Sequence, residues 1–156
     1  MTVYPSLTDR LKTQHQAIEP ILMNVSDSRL SVRPQAGKWN MHDNITHLVK
    51  YQPVFIDRID TILLEDEPLF GRYKAENDPE FETYRMWDTN TLIKQLMADR
   101  EKIYALVTGL TDAQLKRIGM HKKFGALNII QWTEFFLLHE AHHIFTIFQL
   151  AHDTEL

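Results

Sequence analysis

The chain has 156 residues, no cysteine, 44% hydrophobic residues and a formal net charge of −4 at pH 7. The length predicts one domain over 1–156, with a core large enough to fold without a disulfide or metal staple. The composition excludes disulfides, thiolate metal ligands and a cysteine nucleophile, gives no electrostatic footprint for nucleic acid, and contains no apolar run of about 18 residues that could span a membrane.

The segment from Met1 to Lys12 carries Asp9 and Arg10 and has no long apolar run. It does not read as a signal peptide, and the expected location is the cytoplasm. Apolar periodicity is helical nearly throughout, and strand-like alternation is hard to find. A first helix is expected from about Ser6 to Val25, with Leu7, Leu11, Ile18, Ile21 and Leu22 as its buried stripe and Pro20 kinking it or opening its hydrogen bonding. A polar connection with Pro34 and Gly37 follows. Asn40 then caps a second helix running to about Leu64, with Asp43 in the first turn. Ile45, Val49, Ile56 and Leu63 lie on one face of it, and His47, Tyr51, Val54 and Ile62 on the other. Pro53 is expected to bend it.

Glu65 to Trp87 is acidic and rich in turn residues. So long a connection in a small bundle reads as a crossover or a lid. Asp88 caps a third helix to about Val107. Thr111 opens a short turn, Lys122 to Gly125 reads as a loop, and a final helix is expected from Leu127 to about Ala151. Four long amphipathic helices without strands make a four-helix bundle, all-α in class. On the last helix, Trp132, Phe136, His139, His143, Thr146 and Leu150 share one stripe. Ile130, Leu137, Ala141, Ile144 and Phe148 lie near the opposite side. A helix apolar on both sides must be covered on both, so the second stripe points to a homodimer.

The chemistry of the sequence is concentrated in His139-Glu140-Ala141-His142-His143. His139 and His143 are four residues apart, which on a helix stacks them on one face. Two imidazoles so placed can converge on one metal ion. They can equally be two core histidines, each bonded to a neighbour. A stable site needs a third ligand, and His47 is the best candidate, mid-helix and on the face away from the aliphatic stripe. His42 reads as solvated, His15 as able to face the core, His121 as a loop residue and His152 as terminal. His142 points away from both ligands; it could face a substrate or be a hydrogen-bonded histidine at an interface. The same string satisfies H-E-x-x-H, with Glu140 as general base. That reading fails, because no downstream ligand follows: Thr146 and Gln149 stand where the extended pattern needs Gly and His. A di-iron carboxylate bundle also fails, for want of a second E-x-x-H element beside Glu140-x-x-His143.

Lys38-Trp39-Asn40-Met41-His42-Asp43-Asn44-Ile45-Thr46-His47-Leu48, together with Phe124-Gly125-Ala126-Leu127-Asn128 and the H-x-x-H-H element at 139–143, resembles the DinB/YfiT-like superfamily over nearly the whole chain. The resemblance implies an up-down-down-up four-helix bundle, and a divalent metal, zinc or nickel, on His47, His139 and His143. It also implies a homodimer and a small-molecule substrate; characterised relatives include thiol S-transferases that use low-molecular-weight thiols. Relatives often place a Gln where this chain has Thr146, a departure that spares the metal ligands and bears on the substrate. Three neutral imidazoles leave a coordination position open, the catalytic pattern. Activation of a low-molecular-weight thiol for transfer to an electrophile is therefore the leading expectation. Hydrolysis by metal-activated water, or simple metal or small-molecule binding, are the alternatives. Tyr51, one turn beyond His47, and His142 are the candidate proton-handling groups. Tyr51 has a second reading, as a packing residue.

Overall fold

Each of the two helices that carry the histidines begins at a side chain that closes its first turn. In the computed structural model, which describes residues 3–155, Asn40 accepts from the Asp43 N–H at 2.7 Å and the Asp43 carboxylate accepts from the Asn40 N–H. This reciprocal box starts α4, Met41–Leu64. Asn128 and Gln131 form the same box at the start of α8, Ile129–His152. Asp88 caps α6, Thr89–Thr108, through the Thr91 N–H. Met1, Thr2 and Leu156, at the ends of the expected domain, lie outside the described residues.

The expected first helix is broken into α1, Pro5–Thr13, a 3₁₀ turn at Gln14–Ala17, and α2, Ile18–Leu22. The cause is Pro20, whose ring would meet the carbonyl of residue 16 in a regular α-helix. The polar connection holds one further helical turn, α3, Asp27–Leu30, capped by Ser26. By contrast α4 continues through Pro53.

Side-chain pairs fix the directions of the helices. Asn44 and His47, early in α4, meet His143 and His139 near the middle of α8, while Phe55, later in α4, stacks on Phe136, earlier in α8. These two helices are therefore antiparallel. α6 runs with α4: His42 bonds Thr89, and Arg100 donates to Gln52. α1 runs with α8: Arg10 pairs with Glu134, and Gln14 donates to the Leu137 carbonyl. The result is the up-down-down-up bundle. Its crossover, residues 65–88, contains β1, Leu69–Phe70, and α5, Phe81–Arg85.

The expectation of a strandless chain is corrected. β1 pairs in parallel with β2, Ile118–His121, and β2 pairs antiparallel with β3, Gly125–Asn128, after the short α7, Asp112–Leu115. The segment read as a loop is thus a hairpin tip, and α8 begins two residues later than expected. Strands of two and four residues are too short to show alternation. Gly125, at φ +74°, supplies the left-handed residue of the tip. Gly119 has no room for a side chain: a Cβ there would lie 2.7 Å from Ile62 and 2.9 Å from Trp132 Nε1, which donates to the Gly119 carbonyl. The sheet is thereby clamped onto α4 and α8 at one end of the histidine-bearing groove.

Two apolar clusters fill the bundle. One holds Leu7, Leu11, Phe55, Ile59, Ile103 and Phe136. The other holds Ile18, Ile45, Leu48, Leu92, Leu96 and Ile147. The outer stripe expected to need a second subunit is largely covered within the chain: Ile130, Leu137 and Ile144 are buried, and only Phe148 of that set is exposed. The broken first helix does this covering, because its α2 segment also reaches α8. The exposed apolar side chains of α8 are Leu138, Phe145 and Phe148. Among the described residues, no helix is long and apolar enough to cross a membrane.

Candidate metal centre

His47 from α4 and His139 and His143 from α8 come together. One ligand atom from each lies within 4.8 Å of the others. No other group of three or more His, Asp or Glu side chains is so placed among the described residues. The i,i+4 spacing puts His139 and His143 on the same face of α8, with ring centroids 4.7 Å apart. His47 closes the triangle, at 5.0 Å from His139 and 4.5 Å from His143.

The hydrogen bonding of these rings is incomplete. His143 Nδ1 is 2.8 Å from Asn44 Oδ1; the amide oxygen accepts, so the proton sits on Nδ1 and Nε2 is left as a lone-pair donor. The Nε2 atoms of His47 and His139 are 3.0 Å apart. The Nδ1 atoms of both rings are buried and have no partner among the described residues. A buried polar atom left unsatisfied costs about 1–3 kcal/mol. Burial pushes all three imidazoles well below the ordinary histidine value: His47 to about 2, His143 to about 3 and His139 to about 4. For His47 and His143 the neighbouring imidazoles add to this, and for His139 the charges of His142, Arg58 and Arg72 do. All three are neutral at pH 7, as metal ligation requires. Neutral, clustered and under-bonded imidazoles fit a divalent cation, which would take up the facing lone pairs.

Around the triad lies a cavity of about 510 Å³. Trp39 packs 5.0 Å from His47 and stacks on Phe81 of the crossover. Tyr73, also from the crossover, lies 5.6 Å from His47 and donates to Asp78. The crossover is thus a wall of the site, as a lid would be. Tyr51 is buried, with its ring 4.4 Å from that of His139. Its hydroxyl accepts from Arg58 Nη1 at 2.8 Å, and burial raises its pKa against the opposing pull of Arg58. Tyr51 therefore keeps its hydroxyl proton at neutral pH. His142 is exposed and lines the same cavity, its ring 5.2 Å from His143.

The remaining histidines are placed as follows. His15 is buried against Arg100. His42 is half-buried and bridges Thr89 and the Arg85 carbonyl, so it is not the solvated residue expected. His121 ends β2 and lines the cavity. His152 bonds the Phe148 carbonyl at the end of α8. Glu140 is buried and ion-paired to Arg100, with Gln14 as a further donor. It faces away from the triad, and the rejection of H-E-x-x-H stands on that geometry.

Sequence reasoning missed Asn44, Arg58, Arg72 and Tyr73. A signal existed for two of them. Asn44 lies three residues before His47, and Arg58 seven after Tyr51, both intervals that keep a helical face. Arg72 and Tyr73 lie in the crossover, where no periodicity applies.

Several known proteins are similar to this chain. It is 24% identical over 136 residues to the "Uncharacterized protein YuaE" of Bacillus subtilis, covering 79% of this chain and 83% of that one. It is 23% identical over 143 residues to the "Putative metal-dependent hydrolase OB0413" of Oceanobacillus iheyensis, covering 86% and 78%. Its fold superposes on YfiT of Bacillus subtilis with a TM-score of 0.79 at 22% identity, over 93% of this chain and 83% of that one. YfiT itself is described as "a probable metal-dependent hydrolase with an unusual four-helix bundle topology". Residues 10–147 match the model of the DinB superfamily, and with the bundle topology and the three-histidine cluster in place, the chain belongs to that superfamily.

Proposed function

We propose that the protein binds one divalent metal ion through His47, His139 and His143 and acts as a metal-dependent hydrolase on a small molecule held in the adjoining cavity. The observation that carries this is the convergence of three neutral imidazoles from α4 and α8, with one ligand atom of each within 4.8 Å of the others, beside a cavity of about 510 Å³. The description of YfiT and the name of the Oceanobacillus protein support hydrolysis. When bound, a divalent ion supplies Lewis acidity, polarising a carbonyl and easing loss of a proton from water or a thiol in its shell. The chain supplies the rest. Asn44 holds His143 in one tautomer and orientation. The Tyr51 hydroxyl accepts from Arg58, which leaves its own proton to donate to a substrate oxygen gaining negative charge. His142, at the mouth, can exchange a proton between the site and solvent.

Thiol S-transfer is the second reading, favoured by the arginines beside the triad, which would stabilise a thiolate. The thiol must come from outside, since the chain has no cysteine. Zinc and nickel are the metals we propose, and a homodimer meeting through Leu138, Phe145 and Phe148 is the assembly. Metal analysis of freshly purified protein, then a panel of ester and amide substrates with and without added thiols, tests the reading. Turnover without thiol supports hydrolysis. Turnover only with thiol moves the assignment to S-transfer. No bound metal overturns both. Sedimentation at micromolar concentration tests the dimer, and a monomer there overturns it.

A further inference from the structure

The cavity wall beside the triad is basic in a chain whose net charge is negative. Arg58, Arg72, Lys74, Lys122 and Lys123 line it, against one carboxylate, Glu76. None of the five cations has a carboxylate at ion-pair distance among the described residues, although Arg10, Arg33, Lys50, Arg85, Arg100, Lys102 and Arg117 all do.

Arg58 stands apart even from the other four. It is only 8% exposed, and a buried guanidinium ordinarily has a compensating anion. Its protein partners are both neutral: the Tyr51 hydroxyl through Nη1 and the Gly71 carbonyl through Nη2, each at 2.8 Å. Two of its five N–H donors are used in this way. Tyr51, Phe70 and Trp132 surround the guanidinium, with ring centres 5.6, 5.7 and 5.5 Å away, and fix its position. Tyr51 connects this group to the triad, since its ring contacts His139 while its hydroxyl meets Arg58.

We infer that the cavity binds an organic anion, with Arg58 holding the carboxylate or phosphate group of a small molecule whose reacting end faces the three histidines. Arg72 and the hairpin-tip lysines Lys122 and Lys123 draw the anion in, and Trp39 and Phe124 offer flat apolar surface to its body. This deepens the proposed function and rests on it for the place of the reacting end, but the anion anchor itself is made of protein alone.

The test uses three matched probes: 1-naphthoate, 1-naphthylphosphonate and the uncharged 1-naphthamide. Their binding is measured by calorimetry on the metal-loaded protein and on the same protein after chelation. At least one anion should bind about tenfold more tightly than the amide or better, in both forms, as expected for a charge-assisted contact, and Arg58→Gln should remove the preference. Whichever anion is preferred separates a carboxylate from a phosphate source. Equal binding of all three probes overturns the inference. So does a preference that vanishes on chelation, because the anion then sits on the metal. Should Arg58→Gln fail to fold by circular dichroism, the double variant R72Q/K123Q takes its place; it should reduce the preference several-fold, and an unchanged preference overturns the inference. Metal content, measured on each preparation, reports separately on the three-histidine site.

Discussion

Two buried polar clusters lie on either side of α8, one residue apart in sequence, and they differ in completeness. Glu140 faces α1 and α6. There it meets Arg100, Gln14 and, through Arg100, His15, Gln52 and the Leu11 carbonyl. His139 faces α4, where its Nδ1 and that of His47 have no partner among the described residues. In the first cluster a buried acid is matched to a buried guanidinium and to neutral acceptors, so the network is closed. In the second the imidazoles converge mainly on one another, with Asn44 as the one amide partner. A closed network specifies packing, whereas an open one keeps polar atoms whose satisfaction has been given up for a purpose other than packing.

Substitutions should separate the two clusters. The largest expected effect is on the open one: His47→Ala, His139→Ala or His143→Ala should each abolish tight metal binding, measured by metal analysis after dialysis, and leave a folded bundle. Retention of full metal content by His47→Ala would falsify the three-histidine site. Metal removal from the unaltered protein should likewise leave the helical circular dichroism intact, because the core is filled by apolar side chains.

In the closed cluster the effect moves to stability. Glu140→Ala leaves Arg100 buried without its carboxylate and should cost about 3–5 kcal/mol in denaturant unfolding, the usual penalty for breaking a buried pair from one side. A loss below about 1 kcal/mol would place the pair in solvent. Both clusters should make the protein acid-sensitive, His15 in this one and the three lowered imidazoles in the other. His15 is lowered to about 4, by burial first and then by the Arg100 charge. Its folded value lies below the unfolded value of about 6.5, so the unfolded chain binds more protons below that pH. Stability should be level above about 6.5 and fall as the pH drops from there toward 4. A denaturation midpoint that stays constant from pH 7 to about 4.5 would contradict this.

A smaller effect tests whether the open cluster is tuned from outside its ligands. Asn44→Ala removes the acceptor that orients His143 and should weaken metal affinity by about 10–100-fold without abolishing it, read by competition with a chelator. The smallest effect is expected at the cavity rim. His142→Ala and His121→Ala should keep full metal content, since neither ring belongs to the triad.

Two helices, α4 and α6, and the pairing of two of the three imidazoles were legible in consecutive residues. Caps at Asn40 and Asp88 and the apolar periodicity placed α4 and α6 to within a residue, because local hydrogen bonding and burial of one face are properties of consecutive residues. The i,i+4 pair of His139 and His143 follows from helical geometry alone. The remainder rests on contacts between distant parts of the chain. That His47 meets the pair depends on α4 and α8 packing antiparallel in register, a contact across 92 residues. That Ile130, Leu137 and Ile144 are covered within the chain depends on how the broken first helix folds over α8. Whether a histidine is a ligand, a core bond or a surface group is set by what stands opposite it. For His15 that is Arg100, for His42 Thr89, and for His47 two more imidazoles, each brought by a distant part of the chain.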